Sequence, residues 1–163
     1  MERILICSDI HRFPENFWEA LKRSAPIDRI FICGDLEERP EYFRAMAQDI
    51  PIVMVQGNCD HYLGSDLDPV IECDLEGRHI LVTHGHLYNV GGGKPKALIR
   101  AAAQAGADLV FYGHSHKPLD EVWDGIHFIN PGALRGTPDS CSFAILTLDK
   151  QKPEEKVEFF NLS

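Results

Sequence analysis

The chain has 163 residues, a formal net charge of −9, and 44% hydrophobic against 25% charged residues. That is a soluble globular balance with enough chain for one domain and a sizeable core. The acidic total repels a polyanion and argues against general nucleic-acid binding; it leaves room for a small phosphorylated substrate, because metal ions can reverse the local charge.

The first residues, Met1-Glu2-Arg3-Ile4, run straight into Ile4-Leu5-Ile6-Cys7-Ser8, a buried-strand pattern, without the basic-then-apolar layout of a signal peptide. Asp9-Ile10-His11 follows, placing a carboxylate and an imidazole on one side of an extended segment. Residues 14–23 suit a helix that opens on Pro14 and turns Phe17, Trp18 and Leu21 inward. A second strand, Ile30 to Cys33, ends in Gly34-Asp35, and a second helix, Pro40 to Gln48, carries Tyr42, Phe43 and Met46 inward. A third strand, Ile52 to Val55, ends in Gly57-Asn58-Cys59-Asp60-His61.

Val70 to Leu75 and His79 to Thr83 flank Glu76-Gly77-Arg78 as a hairpin whose second strand ends in His84-Gly85-His86. A glycine-bearing loop, Leu87 to Lys94, leads to an alanine-rich helix, Lys96 to Ala105, stopped by Gly106. Leu109-Val110-Phe111-Tyr112 is a buried strand that ends in Gly113-His114-Ser115-His116. A second hairpin is expected at Glu121–Trp123 and Ile126–Ile129, then a tight turn at Asn130-Pro131-Gly132. Two closing strands, Ser142–Leu148 and Lys156–Phe160, precede a short tail. The five cysteines contain no Cys-x-x-Cys; Cys7 and Cys33 lie in apolar runs, which suits a reducing cytoplasm. No apolar run is long enough to span a bilayer.

Five apolar strands therefore end in Asp-x-His, Gly-Asp, Gly-Asn, His-Gly-His and Gly-His-Ser-His. Loops at the carboxyl ends of strands build the site in open α/β sheets. Mixed imidazole and carboxylate donors suit Mn, Fe, Zn or Ni, with Mn the first choice. They are too many for one ion, and two ions about 3.5–4 Å apart sharing a carboxylate would use them.

In this order the five blocks resemble the calcineurin-like metallophosphoesterase superfamily, and the small size with Gly-Asn-Cys-Asp resembles its compact bacterial and archaeal phosphodiesterase branch. The resemblance runs from Asp9 to the Asn-Pro-Gly turn at Asn130. It implies a four-layer α/β/β/α sandwich of mixed sheets flanked by helices, formed as one domain over residues 1–163. It implies that Asp9, His11 and His116 hold a first metal, that Asp35 bridges, and that Asn58, His84 and His114 hold a second. Hydroxide generated between the ions would attack phosphorus and expel an alcohol. The expected activity is hydrolysis of small phosphodiesters; a phosphomonoesterase on the same site and a non-catalytic scaffold of the same fold are the alternatives.

Two positions depart from the family pattern. Many larger relatives carry His where Cys59 stands, a His thought to assist the leaving group, so His86 or His61 is a candidate substitute and Cys59 reads as a packing residue beside Asn58. Arg12 replaces the usual Gly after His11 and reads either as a rim guanidinium for phosphate or as a solvated surface group. Asn58 and His86 are thus the catalytic candidates beyond the other metal ligands, with Arg12, Cys59 and His86 the candidate substrate contacts. No membrane partner is expected, and a homo-oligomer is left open.

Overall fold

In β1 (Glu2–Cys7) successive side chains point to opposite faces, yet Ile4, Leu5, Ile6 and Cys7 are all sealed from solvent. Leu5 and Cys7 pack into one apolar cluster and Ile4 and Ile6 into another. A strand covered on both faces needs a continuous apolar run, which is how this stretch reads. The computed structural model describes residues 1–60 and 66–163, so the expectation for His61 lies outside the described residues.

The same alternation builds the layers. After α1 (Pro14–Ser24), β2 (Arg29–Ile32) sends Ile30 and Ile32 toward the helices and Phe31 the other way. α2 (Pro40–Ala47) and β3 (Ile52–Met54) follow. The hairpin β4 (Val70–Leu75) and β5 (Arg78–Thr83), α3 (Lys96–Ala105) and β6 (Leu109–Phe111) form the second half's centre. Leu109 and Phe111 of β6 face the first sheet, whereas Val110 packs with Leu98, Ile99 and Ala102 of α3. The strands β7 (Pro118–Trp123), β8 (Ile126–Pro131), β9 (Phe143–Leu148) and β10 (Lys156–Phe160) complete two five-stranded sheets. Their orders are β10-β9-β1-β2-β3 and β4-β5-β6-β8-β7. Three apolar clusters separate α1 and α2, the first sheet, the second sheet and α3 into the α/β/β/α layering implied by the sequence.

Several local expectations need correction. Trp18 and Tyr42 are not core: they are 40% and 53% exposed, on the outward side of α1 and α2. The second hairpin begins earlier, at Pro118, and β8 continues through Asn130 and Pro131, where pairing with Leu119 and Pro118 overrides the turn-forming composition. The short tail after β10 is anchored, with Leu162 buried and its N–H bonded to the Pro138 carbonyl at 3.0 Å, in keeping with the expectation. Among the described residues no helix is long and apolar enough to cross a membrane.

Candidate metal centre

β1, β2 and β3 pair in parallel, as do β5 and β6. Their carboxyl ends therefore bring the loops bearing Asp9, Asp35, Asn58, His84 and His114 to one rim. Backbone bonds fix the loops to one another: Asp9 N–H to Gly34 O, His11 N–H to Asp35 O and Gly113 N–H to His84 O, each 3.0 Å. Gly57 and Gly113 are needed for close approach. A Cβ on Gly57 would fall 2.1 Å from Asp35 Oδ1, and one on Gly113 would fall 1.9 Å from Ser8 Oγ.

The backbone at the rim is strained. Asp9, His11, Asp35, His114 and His116 have φ of 55°, 46°, 55°, 70° and 63°, the left-handed region that costs an L-residue free energy. Arg12 and Glu37 join them at 70° and 50°. Such conformations persist where the surroundings over-determine them, and they concentrate at functional sites.

The result is a convergence of donor atoms. Asp9 Oδ1 lies 3.0, 3.2 and 3.4 Å from Nε2 of His84, His116 and His11. Its Oδ2 accepts the Ser8 hydroxyl at 2.6 Å and the His114 backbone N–H at 3.0 Å. Asp35 Oδ2 lies 3.3 Å from His84 Nε2 and 3.6 Å from His11 Nε2, while its Oδ1 accepts the Cys59 N–H at 2.8 Å. One donor atom each from Asp9, His11 and His116 lies within 4.8 Å of the others, and the same holds for Asp35, His84 and His114. Asp9, His11 and His116 thus lie in one group and His84 and His114 in another with Asp35, the residue that the resemblance implies as a bridge; Asn58 stands apart from both. That residue is exposed on the turn before Cys59, with its amide nitrogen 3.6 Å from Cys59 Sγ.

The electrostatics explain why a cation suits this place. Burial opposes ionisation of Asp9, but hydrogen bonds from His11, His116 and His84 outweigh it and hold its pKa well below the usual range. Asp35 is lowered likewise, against its burial, first by His84. Burial alone would depress His84, yet Asp35 and Asp9 raise it to about 9. The Asp9 contact, helped by Glu37, raises His11 despite partial burial. Without ions, protons on imidazole offset the two buried carboxylates. A divalent ion in their place would use the same nitrogens as lone-pair donors. The donor set, imidazole and carboxylate without a required thiolate, fits such ions.

The candidate substrate contacts lie around this rim. His86 Nδ1 is 3.1 Å from His84 Nδ1, and burial together with the neighbouring His84 charge lowers its pKa. Arg12 reaches outward with its guanidinium 3.5 Å from Glu37 Oε1. Burial, then the Asp35 charge, pushes the Cys59 thiol up to about 11. Cys59, His11 and Glu37 form a third close group of donors.

Three supporting residues carry no role in the sequence reading. Asp60 Oδ2 accepts the N–H groups of Asp35 and Gly57, and its Oδ1 that of Glu37. Asn130 donates to Gly113 O and Ser115 Oγ at 3.1 and 3.0 Å, bracing the His114–His116 loop. Glu37 Oε2 lies 2.9 Å from His11 Nδ1. The available signals were the place of Asp60 inside the Gly-Asn-Cys-Asp block and of Glu37 two residues after Gly34-Asp35.

Two mixed sheets between helices, with carboxylates and imidazoles gathered at their common rim, define a protein of the metallophosphoesterase class. The family model described as the calcineurin-like phosphoesterase superfamily domain matches residues 2–151. The chain belongs to that superfamily. The protein named probable metallophosphoesterase YsnB, from Bacillus subtilis (strain 168), is 39% identical over 101 residues, 61% of this chain and 58% of its own length. Phosphodiesterase YfcE of Escherichia coli (strain K12) is 32% identical over 89 residues, 51% of this chain and 44% of its own. Vacuolar protein sorting-associated protein 29 of Schizosaccharomyces pombe (strain 972) is 31% identical over 99 residues, 61% of this chain and 50% of its own. The chain thus spans about half the length of the curated relatives it matches. A crystal structure of a conserved uncharacterized protein of Streptococcus pneumoniae TIGR4, described as a predicted phosphoesterase, superposes with a TM-score of 0.81 at 29% identity, covering 98% of this chain and 89% of that one.

Proposed function

We propose that this chain, acting as one domain in the cytoplasm, is a two-metal phosphodiesterase for small phosphodiesters, with Mn as the preferred ion. The observation that carries the reading is the pair of buried carboxylates, Asp9 and Asp35, each with an oxygen within 3.6 Å of imidazoles from both donor groups, as a carboxylate shared between two ions requires; the family resemblance gives the bridge to Asp35. Asp9, His11 and His116 would hold one ion, and Asn58, His84 and His114 the other. Bound there, the ions would supply Lewis acidity to phosphate oxygens and acidify a water.

The chain's own groups do the rest. The Cys59 N–H and Asp60 fix the orientation of Asp35. His86, its pKa lowered by burial and by the neighbouring His84 charge, stands at the rim as the candidate partner for a phosphate or leaving oxygen. Arg12 sits at the rim, where a substrate phosphate can compete with Glu37 for its guanidinium. The name of the relative YfcE supports a diester preference. A monoesterase on the same site is the variant that a substrate panel separates.

The likeness to vacuolar protein sorting-associated protein 29 favours a second reading, a non-catalytic scaffold. Hydrolysis of bis-p-nitrophenyl phosphate with added Mn, with and without chelator, decides between them. The enzyme reading expects activity that chelation abolishes and Asp35→Asn removes. Inactivity with Mn, Fe, Zn and Ni alike would sink it in favour of the scaffold.

A further inference from the structure

The imidazoles of His11 and His84 both direct Nε2 at the buried carboxylates, but different groups stand behind them. His11 Nδ1 lies 2.9 Å from Glu37 Oε2. His84 Nδ1 lies 3.1 Å from another imidazole, His86 Nδ1. An ionised carboxylate only accepts, so it holds a proton on His11 Nδ1, and a cation that displaces the Nε2 proton would find that nitrogen's lone pair directed at the donor group of Asp9 and His116. It also makes that nitrogen more basic toward a cation. Among the described residues no carboxylate contacts His84 Nδ1; its partner there is the His86 imidazole.

Glu37 is held in place for this contact. Its N–H bonds to Asp60 Oδ1 at 2.9 Å, and its backbone has φ 50°, a conformation that glycine would take more cheaply. Its second oxygen, Oε1, is 3.5 Å from the Arg12 guanidinium, so the carboxylate is oriented from both sides.

We propose that Glu37 is a positioning residue for the first ion alone: through His11 it strengthens binding at Asp9, His11 and His116 and leaves the site of Asp35, His84 and His114 untouched. The inference rests on the two-metal reading above. The test is Mn binding to the chelator-stripped full chain, followed by titration calorimetry and by the paramagnetic resonance of free Mn. Glu37→Ala is expected to weaken one of two Mn equivalents by about 10- to 100-fold, the usual cost of removing a partner behind a metal-bound histidine. The other equivalent stays within about twofold of wild type, well below that cost. Glu37→Gln keeps an acceptor oxygen for Nδ1–H and recovers part of the loss. Site identity comes from double variants. On a His114→Ala background, Glu37→Ala shows its full effect; on His116→Ala, it adds little. Cobalt substitution gives a spectroscopic check, with a changed visible band for one ion only.

Equal weakening of both equivalents, or wild-type binding of both by Glu37→Ala and Glu37→Gln, overturns the assignment while leaving the two-metal reading intact. A wild-type chain that binds no ion overturns that reading and this one with it.

Discussion

His84 Nε2 lies 3.0 Å from Asp9 Oδ1, and both side chains are sealed from solvent although they follow strands of different sheets. In the ion-free protein this contact joins the two halves of the sandwich at their common rim. His84→Ala would leave Asp9 and Asp35 buried with one fewer cation between them. Breaking a buried charge pair by removing one partner costs about 3 kcal/mol or more. The expected outcome is a fall of that order in the urea-unfolding free energy of chelator-stripped protein, with loss of one Mn equivalent. An unchanged midpoint would show that the pair carries no stability.

The same contacts give the ion-free protein a distinctive pH dependence. His84 is raised from 6.5 to about 9, so its stabilising charge is fully present below 6.5 and lost as pH climbs through about 9. Asp9 and Asp35 are lowered from 3.8, so their contribution is present above 3.8 and lost as pH falls through their depressed values. Unfolding midpoints of stripped protein should therefore be highest between those limits and decline on the alkaline side, a decline that His84→Ala flattens. Mn binding should run the opposite way and tighten with rising pH, because the ions displace protons. A midpoint that stays level from pH 6 to 9 would contradict the charged His84.

The convergence of the candidate donors at one rim was legible because each follows an apolar strand, so local pattern and global placement coincide. Asp9 after Ile4–Cys7 and His114 after Leu109–Phe111 are such cases. Glu37 and Asp60 were not assigned roles because theirs depend on contacts between loops: Asp60 reaches Asp35 and Glu37, at sequence separations of 25 and 23. Nor does periodicity give the left-handed backbone at Asp9, Asp35 and His114, since nothing in the residue types demands it. Trp18 and Tyr42 misled for a simpler reason. A helix packed on a sheet covers a limited stripe, and an aromatic beside that stripe stays outside.

Asp60 offers a sharper test of loop architecture. Its carboxylate receives N–H groups from Asp35, Gly57 and Glu37 at 2.9, 2.8 and 2.9 Å. Asp60→Ala orphans these donors, and each buried unsatisfied N–H costs about 1 kcal/mol or more. A total loss of about 3 kcal/mol is expected in urea unfolding. Mn retention should fall too, because Asp35 loses its backbone anchor. Asp60→Asn keeps an acceptor oxygen and should fall between. Wild-type stability in Asp60→Ala would mean that water replaces the carboxylate without penalty.

On the proposed function, Cys59 bears on which esters the site would cleave. Its backbone N–H holds Asp35 at 2.8 Å, so the position borders the reacting centre, while burial and the Asp35 charge push its thiol up to about 11. A group that weakly acidic gives little help to a departing alkoxide at neutral pH. Nitrophenolate leaves without a proton; an alkyl alcohol does not. Cys59→His places an imidazole of more suitable acidity at the same position. It should raise kcat for an alkyl phosphodiester by on the order of 10²-fold, the lower range for a positioned acid. Turnover of bis-p-nitrophenyl phosphate should stay close to wild type. The ratio of the two rates under equal Mn loading is the measurement. A ratio unchanged by Cys59→His would place proton delivery elsewhere, with His86 the next residue to replace.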